Sequence, residues 1–332
     1  MPVGMGDTRC DTLAKIFPGQ EEFGEMKYYI IVNPISGRGH AKQAIPQIEG
    51  LLRSFNLDFE LVQTERPWHA ADLAEAAARA GYDVVVTASG DGTANEAVNG
   101  LMRARAAGFN HTAFCILPVG TGNDMNFGLG HHLTLEDGIR ALAANHRRRI
   151  DVGLVRGGDY PEGRYFANGI GIGFDAVVGF EAVKIRWASG LPVYLMAVIR
   201  TVFLYFNAPK VEITLDNETF IQPSLMTSIM NGRRMGGGFM MAPESAPDDG
   251  WLDLCIVSQA SRIRLFQIIP YFLKGTQATQ PEIKMKRSKT VKVRALDGSL
   301  PAHSDGETLC IKGQSLEIEL IPSALDFVTT EM

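Results

Sequence analysis

The sequence predicts an α/β N-terminal domain, a parallel sheet with helices on both faces, joined to a mainly antiparallel β C-terminal domain with a few helices. The active site is expected in the interdomain cleft. Three observations carry this reading: short apolar runs alternate with helical periodicity from residue 28 to 145, the rhythm turns strand-rich after Ile150, and glycine-bearing loops follow the early strands.

Residues 1–25 show no sustained periodicity and carry five acids against two bases, so they read as an N-terminal extension or a tag ahead of a second start-like residue, Met26. The 332-residue chain then divides into a first domain over 26–150, a second over 151–322, and a C-terminal tail, 323–332, that could return to the first. In the first domain, strand 28–33 precedes a helix near 40–54, strand 57–63 precedes helix 68–80, strand 83–88 precedes helix 94–106, and strand 113–117 precedes helix 134–145. Runs such as Tyr28-Tyr29-Ile30-Ile31-Val32 are continuously apolar, as a sheet covered on both faces requires. Beyond Ile150, strands are expected at 150–156, 164–172, 211–216, 219–230, 251–258, 289–296, 308–311 and 315–321, with turns at Asp249-Gly250 and Asp297-Gly298. Two helical segments interrupt them, 176–206 with a break at 190–192, and 260–274.

Composition removes several classes. With 45% hydrophobic and 21% charged residues the chain has material for ordinary cores and no case for disorder. Thirty-two Lys and Arg against 37 Asp and Glu leave a net charge of -5, so no nucleic-acid partner is expected. Cys10, Cys115, Cys255 and Cys310 form no CxxC pair, and three of them sit in apolar runs, the pattern of buried free thiols in a reducing compartment. No basic-then-apolar leader is seen, and the apolar stretch 191–206 carries Arg200 and falls short of the roughly 20 residues of a spanning helix. A cytoplasmic protein is expected. None of the seven histidines has metal-ligand spacing, and His131-His132 reads as solvated.

The chemistry concentrates in three loops: Asn33-Pro34-Ile35-Ser36-Gly37-Arg38-Gly39, Ser89-Gly90-Asp91-Gly92-Thr93 and Leu117-Pro118-Val119-Gly120-Thr121-Gly122-Asn123-Asp124. Each follows a strand of the first domain, so all three belong at the carboxyl edge of one parallel sheet, where open α/β folds bind ligands. Glycines there let backbone amides approach a phosphate, and the helix that follows aims its positive end at the anion. The chain has no GxxxxGK[ST], and Gly169-Ile170-Gly171-Ile172-Gly173 lacks the GxGxxG spacing, so the phosphates of a nucleotide would be held in another way. Asp91, between two glycines, is the acid expected near metal-bound phosphates. Asp305 and Glu307 lie two apart on an extended segment and so face the same way. Asp248-Asp249-Gly250 is either a hard-ion site or a bare turn, and the Met-rich run 235–241 is either a lid or core filler.

These residues resemble the diacylglycerol kinase catalytic fold shared by bacterial lipid kinases and sphingosine kinases. The resemblance runs from about Lys27 almost to the C-terminus. It rests on Asn-Pro-x-Ser-Gly at 33–37, Gly-Asp-Gly-Thr at 90–93 with Asn95-Glu96 and Asn99-Gly100-Leu101, and Leu-Pro-x-Gly-Thr-Gly-Asn-Asp at 117–124. The second domain adds Gly171-Ile172-Gly173-Phe174-Asp175, Asp248-Asp249-Gly250 and Asp305-Gly306-Glu307. Ser89 is like the sphingosine kinase version, whereas Gly-Thr-Gly-Asn-Asp is like the bacterial one. The resemblance implies phosphoryl transfer from ATP, with Mg2+, to the hydroxyl of a diacylglycerol-like, phosphatidylglycerol-like or sphingoid acceptor. It makes 26–150 a nucleotide-binding domain and 151–322 a lipid or substrate domain. The implied nucleotide contacts are Asn33, Ser36, Gly37, Thr64, Ser89, Gly90, Asp91, Gly92, Thr93, Ala94, Asn95 and Thr121. Asp305 and Glu307 match the acidic pair that supplies the general base, and Asp124 and Asp175 are candidates for substrate or phosphate. A second, mainly structural metal is implied at the Asp249 side chain with the Ala246 and Trp251 carbonyls.

A lipid kinase must reach its substrate. Residues 284–294 hold six basic residues and no acid, which suits peripheral association with an anionic membrane surface, and Arg147-Arg148-Arg149 is a similar group. Homodimer formation stays open. Two alternatives remain: a soluble dinucleotide (NAD) kinase that shares the Gly-Asp-Gly-Thr loop, and a non-catalytic nucleotide- or lipid-binding regulator.

Overall fold

The computed structural model describes residues 26–330 except 130–133, 186, 189 and 206. The expectations for 1–25, Cys10 and His131-His132 lie outside the described residues. The first domain contains β1 (Lys27–Val32), α1 (His40–Ser54), β2 (Asp58–Gln63), α2 (His69–Ala80), β3 (Val84–Ser89), α3 (Asp91–Ala106), β4 (Ala113–Pro118), the short α4 (Asp124–Leu129) and α5 (Leu135–Ala144). Its strands are parallel in the order β2-β1-β3-β4. Every residue of β3 is buried, because α2 and α3 cover one face of the sheet and α1 and α5 the other. Local chemistry sets the ends of the helices. Helix α2 stops at Gly81, at φ +85°, and α5 starts after Thr134, whose side chain accepts the Asp137 N–H.

The second domain contains β5 (Arg147–Gly157), β6 (Tyr160–Phe166), β7 (Gly169–Gly173), α6 (Phe174–Val183), α7 (Leu191–Leu204), β8 (Lys210–Thr214) and β9 (Thr219–Met230). It continues with β10 (Arg234–Met235), β11 (Phe239–Met240), β12 (Leu252–Ser258), α8 (Arg262–Lys274), β13 (Ile283–Ser288), β14 (Thr290–Ala295), β15 (Leu300–Ser304), β16 (Glu307–Gly313) and β17 (Ser315–Val328). Two antiparallel layers share β9, whose first half pairs with β8 and whose second half lies between β7 and β12. An aliphatic core that includes Ile170, Ile229, Val293 and Leu316 fills the space between them. Helices α6, α7 and α8 close over the β9 and β12 side through a second core built on Met226, Val198 and Leu265.

The two domains are joined by strands. β17 pairs with β5 over most of its length, and its far end lies parallel to β4 with Phe327 opposite Phe114. Residues near the C-terminus therefore extend the first domain's sheet, and β5 crosses residue 150 without a break.

Several elements depart from the sequence expectation. β13 and β15 lie outside the expected set, the run 164–172 is two strands, β6 and β7, and the break between the helices spans residues 184–190. The basic run at 284–294 is largely paired. It forms β13 and β14, where Lys286 pairs with Glu218 at 2.8 Å, Lys292 with Glu317 at 2.6 Å, Arg294 with Glu212 at 3.0 Å, and Arg287 with Asp249 and Asp253. Exposed pairs of this kind contribute little to stability, but they answer four of the six cations, while Lys284 donates to Gln222 and Lys289 lies over the Trp251 ring. Cys115, Cys255 and Cys310 are buried free thiols, and burial pushes Cys115 and Cys255 up to about 12, far from thiolate chemistry. Among the described residues no helix is long and apolar enough to cross a membrane.

Candidate active site

The three glycine-rich loops touch. A Cβ placed on Gly37 would lie 2.7 Å from the Val119 carbonyl oxygen, and one on Gly120 would overlap the Gly90 Cα. Asn33 Nδ2 donates to Thr93 Oγ1 at 2.9 Å, which ties the first loop to the start of α3. The Thr64 N–H donates to the Val32 carbonyl at 2.9 Å, so the end of β2 lies beside the same loop. Ser36, Gly37, Gly90, Asp91 and Gly92 are half-buried around this junction and Thr121 is exposed, while Ser89, Ala94 and Asn95 are fully buried and offer a nucleotide no side-chain surface. Helix α3 begins directly after the extended Gly90, leaving its first N–H groups available to an anion. Gly120→Ala is expected to reduce nucleotide affinity about 5- to 150-fold, since a new methyl against backbone costs roughly 1–3 kcal/mol to accommodate. Calorimetry with Mg-ATP checks it, and unchanged affinity would show that the loops need not pack so closely.

Two buried carboxylates meet beside these loops. Asp91 Oδ1 accepts the Met125 N–H at 2.9 Å, and Asp124 accepts from Arg234 Nε and from the Gly237 N–H, each at 2.7 Å. A Cβ on Gly122 would lie 2.9 Å from Asp91 Oδ2 and 3.8 Å from Asp124 Oδ2, so both groups turn toward one point. Burial raises the pKa of Asp91, and burial together with the Asp91 charge pushes Asp124 up to about 7. Two buried acids answered by one guanidinium, that of Arg234, fit a divalent cation, which would relieve their repulsion. The sign for stability follows. A carboxyl raised in the folded state contributes stability that is full below its ordinary range and is lost as pH rises through about 7. In metal-free buffer, Asp124→Asn should therefore lose less melting temperature than the wild type between about pH 5 and about pH 8. Parallel melting curves across that range would overturn the assignment.

Asp305 is the most heavily bonded carboxylate of the site. Its Oδ2 accepts from Asn95 Nδ2 at 2.9 Å and the Ala167 N–H at 3.0 Å, and its Oδ1 accepts from the N–H groups of Asn168 at 3.1 Å and Gly169 at 2.8 Å. Burial raises its pKa and the four donors oppose that rise, because a protonated oxygen would set O–H against N–H. Asn95 is held in turn by Arg164, whose Nε and Nη2 reach Asn95 Oδ1 at 3.1 and 2.7 Å. Arg164 is 3% exposed and lies between the rings of Trp68 and Tyr160, at 4.7 and 5.1 Å from their centroids. Glu307 is exposed, and its Oε1 would lie 2.5 Å from a Cβ on Gly92, so it faces the glycine loop while Asp305 stays below. The acidic pair is thereby split between two surroundings.

A pocket of about 140 Å³ leads away from Asp305 between α6, α7, α8 and the sheet. Its inner end is lined by Asp91, Asp124, Asp175, His303 and Asp305, and its length by Val178, Val198, Met226, Phe239, Leu265 and Phe272. Asp175 accepts from Ser228 Oγ at 2.9 Å and lies 3.8 Å from His303 Nε2. Burial and the charges of Asp124, Asp91 and Asp175 raise the pKa of Tyr194, which keeps its hydroxyl a donor in this wall. The Met-rich run is a tight hairpin of β10 and β11 whose turn, Gly236-Gly237-Gly238, packs on Leu191 and Tyr194. Arg164, Tyr194, Ser228, Arg234 and His303 carry no local motif, so pattern reading passes over them.

The implied second metal position does not fit these residues. Asp249 Oδ1 accepts the Trp251 N–H at 3.0 Å and its Oδ2 pairs with Arg287, while Asp248 is held by Arg148 at 2.6 and 2.5 Å. The Ala246 carbonyl accepts the Asp249 N–H at 3.4 Å. Guanidinium groups answer both carboxylates.

The match to known proteins spans both domains. The family model described as diacylglycerol kinase catalytic domain matches residues 27–155, and that described as YegS C-terminal NAD kinase beta sandwich-like domain matches 168–329. A Staphylococcus saprophyticus protein named diacylglycerol kinase is 28% identical over 281 residues, 84% of this chain and 88% of its own. A Mycobacterium tuberculosis protein of the same name is 27% identical over 301 residues, 90% of this chain and 94% of its own. A solved structure described as a diacylglycerol kinase from Bacillus anthracis superposes with a TM-score of 0.68 at 20% identity, covering 92% of this chain and 97% of that one. The glycine loops, the Asp305-Gly306-Glu307 segment and the sandwich that supports them fall inside these matches, and the chain belongs to the diacylglycerol kinase catalytic-domain family.

Proposed function

We propose that this chain is an ATP-dependent lipid kinase that moves the γ-phosphate onto the hydroxyl of a diacylglycerol-like, phosphatidylglycerol-like or sphingoid acceptor at an anionic membrane surface. One observation carries the reading: an apolar pocket ends on four carboxylates directly beside a phosphate-type loop cluster. Phosphoryl transfer needs positioning and charge neutralisation more than covalent help. The α3 N-terminus and the loops at Asn33 and Gly120 hold the phosphates by backbone N–H groups, and Arg234, beside Asp124, adds a fixed positive charge. Mg2+ at Asp91 and Asp124 would supply the remaining neutralisation. The acyl portion lies along the pocket with its hydroxyl at Asp305, which accepts the proton late in the step, as the oxygen becomes acidic and one of its four N–H contacts gives way. Asp175 and His303 orient the polar end of the acceptor, and Glu307 monitors the glycine loop. A dinucleotide acceptor suits this wall poorly, because the space in front of Asp305 is lined by Val, Met and Phe side chains.

Incubation with labelled ATP and micellar diacylglycerol, phosphatidylglycerol, sphingosine and ceramide, with NAD as the soluble rival, tests the reading. Label in a lipid supports it. Label in NAD alone, or in nothing while Mg-ATP binds, would overturn it.

A further inference from the structure

The pocket has an outer end as well as an inner one. Val183 lines it and is 78% exposed, so it opens where α6 gives way to the segment leading into α7. Large apolar side chains at the adjoining ends of α7 and α8 are exposed: Phe203 is 64% exposed, Leu204 66% and Ile263 73%. The rings of Phe203 and Phe266 lie 6.2 Å apart and Arg262 Nε donates to the Val202 carbonyl at 3.2 Å, so the end of α7 and the start of α8 share one apolar surface. Isolated exposed hydrophobics are ordinary in a water-facing protein, but a contiguous group at a pocket mouth marks a binding face. Cations outnumber acids on the same surface. The charged residues of α7 and α8 are Arg200, Arg262, Arg264 and Lys274, and neither helix carries an acid, although Arg200 pairs with Glu181 of α6 at 3.3 Å and Arg264 with Glu282 at 2.8 Å. Lys184, next to this surface, is also basic and pairs with the buried Glu181 at 2.5 Å.

We infer that the exposed apolar tips of α6, α7 and α8, with their basic rim, are the face that docks on an anionic lipid bilayer, seating the pocket mouth at the hydrocarbon boundary. The inference rests on the lipid-kinase reading for its substrate, and it deepens that reading by naming where the membrane lies. An apolar patch ringed by Lys and Arg is the arrangement by which a soluble surface enters the headgroup layer, with area and charge acting together. A mouth that opens within the patch lets an acyl chain pass from bilayer to pocket without crossing water. No residue of β13 or β14 lines the pocket, and these strands have no part in this docking.

Co-sedimentation with vesicles of phosphatidylcholine, and of phosphatidylcholine mixed with phosphatidylglycerol, tests it on the full chain. The wild type is expected to bind the anionic vesicles and to release as salt rises, and Phe203→Gln with Ile263→Gln is expected to lower the bound fraction about tenfold. Both side chains are solvent-facing and outside the pocket lining, so the melting temperature and the rate on a short-chain soluble acceptor should stay near wild type. The control, Lys286→Gln with Lys292→Gln, is expected to keep vesicle binding. Unchanged binding in the first variant, or loss only in the control, would overturn the docking face. So would a change from dimer to monomer in the first variant with vesicle binding intact, since the patch would then be covered by a second copy. Failure of the kinase reading would look different: no lipid labelled by the wild type, with the sedimentation result standing independently.

Discussion

Asp305→Asn is expected to bring phosphoryl transfer below a tenth of the wild-type rate while Mg-ATP affinity stays within a few-fold. The backbone is not the reason. Asp305 has φ +47°, and Asn is among the few residues that adopt this region readily. The effect lies in the side chain, whose two oxygens each accept two N–H bonds, from Asn95 and Ala167 on one and from Asn168 and Gly169 on the other. An amide can present only one oxygen, so its NH2 would face two donors and leave them unsatisfied in a buried site, at a cost of about 1–3 kcal/mol. The proton acceptor in front of the lipid hydroxyl is lost in the same step. Nucleotide binding is insulated, because Asp305 reaches the glycine loop only through the Asn95 side chain. Initial rates on micellar lipid, calorimetry with Mg-ATP and a melting curve separate the three effects. Activity retained above a tenth would remove Asp305 from the acceptor side and leave it as a structural anchor of β7.

Legibility differed sharply between the two halves of the molecule. In the first domain most strand and helix limits can be read almost to the residue, because β1, β3 and β4 are nearly continuous apolar runs and helix ends carry capping or glycine chemistry such as Thr134 and Gly81, whereas the short α4 and the first turn of α3 lie inside the glycine-rich loops and read as turns. The meeting of the three loops was legible for the same reason: a parallel sheet puts every strand-to-helix turn at one edge. In the second domain, β13 reads as a run of lysines and β15 contains Pro301, His303 and Ser304, all buried by neighbours distant in sequence. The basic run misleads because the acids that answer it, Glu212, Glu218 and Glu317, sit on other strands or the turn before β9. Glycine, aspartate and threonine at fixed spacing announce a site. The arginines that hold such a site in place carry no spacing of their own, since Arg234 meets Asp124 across 110 residues and Arg164 meets Asn95 across 69.

Arg164 is where that hidden layer has its largest expected effect. Arg164→Met is expected to lower kcat about 10- to 100-fold with little change in KM for ATP or for lipid, a loss typical of catalytic groups displaced by about 1 Å. The guanidinium gives two N–H bonds to Asn95 Oδ1, and Asn95 Nδ2 gives one to Asp305, so a chain of hydrogen bonds runs from the buried cation to the acceptor-facing acid. Without Arg164, Asn95 Oδ1 keeps only the longer Asn99 Nδ2 contact at 3.3 Å, and Asn95 Nδ2, shared between Asp305 and the Tyr165 carbonyl, is held less firmly against Asp305. Arg164 makes no ion pair among the described residues, though its charge lowers the pKa of Glu96, which burial and the Glu307 charge raise. Met keeps the length and the packing against Trp68 and Tyr160 and removes a buried charge, but it takes a donor from Asn95 Oδ1 and from Tyr160 Oη, so a loss of about 1–3 kcal/mol is expected in a protein that still folds. Arg164→Lys should rescue little, because an ammonium cannot reproduce the two-pronged contact. If Met lowers the melting temperature and the activity together and Lys restores both, Arg164 is an ordinary structural cation. A kcat loss in a fully folded protein, unrepaired by Lys, makes it the residue that positions Asp305.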